Sequence, residues 1–153
     1  MIESVVGGVF ATLLLAGTAL AAPRHIRLLQ ITDQCTYLDQ GKKGLGQGDA
    51  FIDRDVLQTP AHAAVGHSGV YCPVTSVAGE SQCLVTLALD GQGTIILVGM
   101  LPPLHGATGQ QDHGALTVVG GTVSYRDARG EATVDIASNA LLTYDLHLDG
   151  PDR

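Results

Sequence analysis

Residues 115–136, ALTVVGGTVSYRDARGEATVDI, constrain the fold of this chain more than any other stretch. Two segments rich in Val and Thr flank the Gly120-Gly121 pair, with a polar cluster just beyond the glycines. β-branched residues suit a pleated surface and glycine punctuates turns, so the run reads as two neighbouring strands joined by a glycine turn. Both strands need further partners, and the rest of the sequence supplies them.

The clearest period-two pattern is in residues 140–148, where Leu142, Tyr144, Leu146 and Leu148 share one face against Thr143, Asp145 and His147 on the other. Near the N-terminus, Ile26, Leu28, Gln30 and Thr32 alternate with Arg27, Leu29, Ile31 and Asp33, which predicts a first strand. In residues 48–58, Phe51, Asp53 and Asp55 fall on one face and Ile52, Arg54 and Val56 on the other. A strand over 67–77 meets one over 80–89 through a turn near Ala78-Gly79. Asp90-Gly91 then makes a hairpin to 94–101, since Asp-Gly tolerates positive φ. Residues 41–48 and 102–113 are loops, the second a long one over a barrel mouth. Eight strands with short turns and no amphipathic helix predict an all-β, eight-stranded antiparallel up-and-down barrel, which abolishes exposed edges. A β-sandwich is the alternative. Residues 84–89 and 95–101 are apolar on both faces, as expected if one face lines the interior and a neighbouring subunit covers the other, so a homo-oligomer is expected.

A length of 153 residues suits one domain. Residues 5–22 form an apolar run that passes through Ala19-Leu20-Ala21, the small-x-small pattern of a signal peptidase site. A signal peptide over 1–21 and a barrel domain over 22–153 are therefore expected, with a secreted, extracellular product. Glu3 stands where such a leader carries a base, and an uncleaved anchor is the alternative. The formal charge of −7, with eight Lys plus Arg and no basic cluster, argues against nucleic acid and against an anionic membrane as partners. With no Trp and 4% aromatic residues, platforms for stacking bases or sugars are scarce.

Of three cysteines, Cys72 and Cys83 lie on consecutive strands flanking one turn, which predicts a disulfide between them and leaves Cys35 free. The six histidines, at 25, 62, 67, 105, 113 and 147, form neither H-E-x-x-H nor H-x-H, and no metal site is assigned. There is no G-x-S-x-G elbow, and the glycine pairs lack the strand-to-helix context of a phosphate loop. What remains is acids on strands. Asp53 with Asp55, Glu131 with Asp135, and Tyr125 with Asp127 and Arg129 each share a face by alternation. Each face is either a solvated outer wall or a set of polar groups inside an apolar cavity. In the cavity, desolvation raises a carboxyl pKa and fits it for proton transfer near neutrality.

Val119-Gly120-Gly121-Thr122, followed by Tyr125 and Ala128-Arg129-Gly130, resembles the G-G-T-G-x-[YF]-x-x-A-R-G signature of dirigent proteins, whose neighbours are the allene oxide cyclase barrels. The looser resemblance runs from Gln30 to Leu148. It implies an eight-stranded barrel, commonly a trimer, that needs no cofactor and steers cyclisation, isomerisation or stereoselective coupling of a small hydrophobic molecule in an apolar cavity. Arg129 and Asp53 are then the catalytic candidates, with Tyr125, Asp127 and Asp55 as ligand-binding ones. The alternative is a non-catalytic secreted barrel that binds a small apolar ligand or a protein. Val123 stands where the signature has its last glycine. Valine does not readily take positive φ, so a different turn or an unstrained position is expected there.

Overall fold

Eight strands follow one another along the chain: β1 (His25–Leu38), β2 (Ala50–Gln58), β3 (Ala64–Pro73), β4 (Ser81–Leu89), β5 (Gly93–Leu101), β6 (Asp112–Gly121), β7 (Gly130–Ser138) and β8 (Leu141–Leu148). The computed structural model describes residues 25–103, 112–138 and 140–149. Each strand pairs antiparallel with the next and β8 returns to β1, which gives the expected closed up-and-down barrel. The expected signal peptide, 1–21, and His105 lie outside the described residues.

Alternation sorts the side chains. Leu57, Leu87, Ile95, Leu97, Val118, Val134 and Leu146 point inward and are fully buried. Each contributes about 1.5–3 kcal/mol by leaving water. Most of them lie toward the end carrying the β2–β3, β4–β5 and β6–β7 connections, and there the barrel is plugged. The plug is Tyr125, in a 3-10 turn over Val123–Tyr125, whose hydroxyl donates to Gln92 Oε1 at 2.8 Å. Gly121 makes the close approach possible, because a Cβ there would meet Thr94 O at 2.1 Å and Tyr125 O at 2.7 Å. Gly91, at φ +70, turns the Asp90-Gly91 hairpin as expected.

Several features differ from the sequence expectation. β3 runs over Ala64–Pro73 rather than 67–77. β6 begins at Asp112, so His113 belongs to a strand rather than to the preceding loop. Residues 123–129 are a 3-10 turn and loop between β6 and β7, so Tyr125, Asp127 and Arg129 share no strand face. Val123 does adopt positive φ, at +53, in the place of the signature glycine. The valine carries the strain of this conformation, since a β-branched residue in this region is an outlier.

At the opposite end the long β1–β2 connection is tied down by Asp49, which is buried. Its Oδ2 accepts from Tyr37 Oη at 2.5 Å and from the Gly46 amide at 2.7 Å, and its Oδ1 from the Gln40 amide at 2.7 Å. The Tyr37 hydroxyl and these amides hold the Asp49 carboxyl below the usual range, and Tyr37 is pushed up to about 12 in return.

Candidate functional site

The half of the barrel away from Tyr125 is hollow. Its cavity has a volume of about 90 Å³, where about 10–15 Å³ holds one water. The wall is largely apolar, with Phe51, Val70, Val85, Leu101, Ile136 and Leu142. Cys72 and Cys83 also line it, bonded to each other as expected at a sequence separation of 11. Gln30, Asp53 and Tyr144 form a polar strip on this wall, and Asp53 is the only charged group among the described lining residues.

The strip is built by strand alternation and one irregularity. Phe51, Asp53, Asp55 and Leu57 face inward on β2, the face on which alternation grouped the two acids. In β1 the register shifts between Thr32 and Gln34, with Thr32 opposite Asp55, Gln34 opposite Arg54 and Cys35 opposite Asp53. Asp33 is the extra residue of this bulge. A bulge reverses the alternation of everything beyond it, so Cys35 turns into the barrel although simple alternation places it with outward Asp33. The freed Asp33 amide donates to Asp55 Oδ1 at 3.3 Å, while the Asp33 carboxylate pairs outward with Arg54 at 3.6 Å.

Deeper in the barrel, Gln30 Oε1 accepts from Ser68 Oγ at 3.0 Å and from Tyr144 Oη at 2.9 Å, all three side chains being buried. Burial, with the Asp55 and Asp53 charges, pushes the Tyr144 hydroxyl well above its ordinary range, so it remains a donor. Asp53 Oδ1 and Asp55 Oδ2 are buried and have no hydrogen-bond partner among the described residues. Burial raises the Asp53 carboxyl, a shift that the Cys35 thiol partly opposes by donating to it. Burial also raises Asp55, to about 6, against the opposing Asp33 amide bond. A carboxyl whose protonated form is favoured by an apolar chamber can give a proton and, once ionised, take one back.

Not every sequence candidate belongs here. Arg129 is exposed at the plugged end, where its Nη1 donates to Ala128 O at 2.7 Å. With Glu131 and His147 it borders a separate outer depression. Asp127 is exposed in the same connection, and Tyr125 is the plug. The three were grouped on the assumption of a strand, and a 3-10 turn separates them from the cavity. Asp55 is one inward position further toward the plug than Asp53 and does not line the cavity. Sequence reasoning missed Gln30, Tyr144 and Cys35. The first two lie on the alternating faces already identified, whereas Cys35 depends on the bulge.

Elsewhere, the structure groups three potential metal ligands on the outer wall, namely His25, Asp145 and His147. The sequence reading assigned no metal.

No protein-family model matches the chain, and no curated protein matches it by sequence. Solved structures do match. A pyocyanin demethylase is 29% identical, with a TM-score of 0.69, over 82% of this chain and 99% of that protein. A pterocarpan synthase dirigent protein superposes with a TM-score of 0.59 at 18% identity, over 84% of this chain and 87% of that one. A Diels Alderase from Streptomyces koyangensis gives a TM-score of 0.63 at 15% identity, over 82% of this chain and 63% of that one. The chain thus has the closed eight-stranded barrel of the dirigent and allene oxide cyclase-like proteins.

Proposed function

We propose that this chain is a cofactor-free catalyst that holds a small, flat, largely apolar molecule in its barrel and moves a proton to or from it through Asp53. The observation that carries this reading is the partnerless Asp53 Oδ1 in a cavity whose wall is otherwise mostly apolar. Such a chamber fixes one ligand conformation and excludes water, while the carboxyl supplies acid or base for isomerisation or ring closure. With no Lys, Arg or His among the described lining residues, the cavity favours a neutral or cationic ligand over a carboxylate. The similarity to a pyocyanin demethylase supports a planar nitrogen heterocycle as the ligand class.

The second reading is simple carriage of an apolar ligand. It is favoured by the position of Arg129, which lies outside the cavity and leaves no second charged group among the described lining residues. Incubation of the protein with a metabolite extract in deuterated water, followed by mass spectrometry of retained molecules, separates the two. Catalysis predicts retained molecules that gain deuterium with the wild type and not with Asp53→Asn. Retention without exchange in either protein supports carriage.

The disulfide suits an oxidising compartment, and we take the protein to be secreted. We also take it to be a homo-oligomer, a trimer by the resemblance. Ile52, Tyr71 and Leu84 stand side by side on the outer wall of β2, β3 and β4 and are exposed, with Met100 nearby. Sedimentation of Leu84→Glu as a smaller species than the wild type is the expected result.

A further inference from the structure

We propose that His25, Asp145 and His147 form a binding site for a divalent transition-metal ion of the Zn²⁺ type, which clamps the first strand of the barrel to the last. The site stands apart from the cavity and from the proton chemistry assigned to Asp53. His25 and His147 are direct partners in the β1–β8 ladder, and Asp145 is two residues before His147 on the same outward face. This register, which no local motif reports, brings the three side chains together.

The donor geometry supports the assignment. His25 Nε2 contacts Asp145 Oδ1, and His147 Nε2 is 3.5 Å from that same oxygen. The two imidazoles are stacked, with ring centroids 4.7 Å apart and planes 17° from parallel. One donor atom from each residue lies within 4.8 Å of the others. Around a tetrahedral ion with bonds of about 2.0–2.1 Å, neighbouring donors sit roughly 3.3 Å apart. The His147–Asp145 separation of 3.5 Å is already close to that spacing.

Two imidazoles and a carboxylate select Zn²⁺, Ni²⁺ or Cu²⁺, whereas Ca²⁺ and Mg²⁺ prefer oxygen donors. All three side chains reach solvent, so the ion needs no entry path and water can complete its coordination. Glu131 pairs with His147 across β7–β8 and points outward beside it, adding a negative charge near the site. Arg27 pairs with Asp145 across β1–β8, and Arg129 and Asp149 border the outer depression that Glu131 and His147 share. Two cations and two further acids thus surround the site, and its attraction for a cation comes mainly from Asp145. Since β1 and β8 are the barrel's closing seam, an ion bound here resists its opening and stabilises the folded chain by mass action.

The test uses the whole protein carrying Cys35→Ser, so that no free thiol competes, stripped with a chelator and titrated with Zn²⁺ by calorimetry and by thermal melting. The expected result is one Zn²⁺ per chain and a rise of several degrees in melting temperature, with Mg²⁺ inert. Loss of an outer-shell partner alone costs about 10–100-fold in affinity, so His25→Ala and His147→Ala should each weaken binding at least about tenfold and abolish the shift. His113→Ala should leave both unchanged, because the His113–Asp135 pair has no third ligand beside it among the described residues. Absence of Zn²⁺ binding, or binding undiminished in His25→Ala and His147→Ala, overturns the proposal and leaves a plain His–Asp cluster. Should the alanine variants unfold, Cu²⁺ electron paramagnetic resonance of the otherwise unmodified Cys35→Ser protein decides. Two coordinating nitrogens support the site, and fewer than two exclude it.

Discussion

Cys35 stands opposite Asp53 in the β1–β2 ladder, and both side chains face the cavity. Burial, and then the hydrogen bond and charge of Asp53, push the Cys35 thiol up to about 11. At pH 8 only about one thiol in a thousand is then ionised, which makes Cys35 a slow nucleophile despite its exposure. Iodoacetamide should label it far more slowly than a free thiol. Asp53→Asn should accelerate labelling several-fold, because two of the causes are removed while burial persists. Labelling that is fast in the wild type, or unchanged by the substitution, would show that the two groups are not coupled.

Asp55 predicts a pH dependence of stability. Its carboxyl is raised from 3.8 to about 6 in the folded chain, so the folded state holds this proton more tightly than the unfolded state. The stability this supplies is complete below pH 3.8 and is lost as pH rises through about 6. The loss is about 2–3 kcal/mol. Asp55→Asn keeps an oxygen for the Asp33 amide and carries no charge, so it should be more stable than the wild type at pH 8 and should lack this slope. Urea unfolding at pH 4.5 and pH 8 measures both.

Val123 should be replaceable with profit. At φ +53 it strains the backbone at the base of the Tyr125 plug. Val123→Gly relieves that strain, partly offset by the greater freedom of glycine in the unfolded chain. A net gain of about 1 kcal/mol would raise the melting temperature by about 2–4 °C. A lower melting temperature would mean that the exposed valine contributes contacts worth more than its strain.

The barrel was legible in the sequence because period-two alternation and glycine punctuation are local signals, and antiparallel neighbours joined by short turns leave few ways to pair. The inward face of β2 was legible for the same reason, which is why Asp53 could be picked out. The inward turn of Cys35 was not, since one extra residue at Asp33 inverts the pattern and alternation alone does not announce a bulge. Arg129 was misplaced for a related reason. The spacing from Tyr125 to Arg129 fits a strand, but the backbone there forms a 3-10 turn that sends Tyr125 inward and Arg129 to the surface. The grouping of His25 with His147 lies further still from local signals, because the pairing of the first strand with the last sets it.

The central claim is that Asp53 governs what the cavity accepts, and a paired binding measurement tests it most directly. N-methylphenazinium and phenazine-1-carboxylate have the same planar ring system and opposite charges. Titrated calorimetrically into the wild type at pH 8, the cation should bind at least about tenfold more tightly than the anion, with its affinity falling as Asp53 is protonated at lower pH. In Asp53→Asn that preference should vanish while the fold is retained. Equal or tighter binding of the carboxylate by the wild type, or a preference for the cation that survives the substitution, would contradict the account.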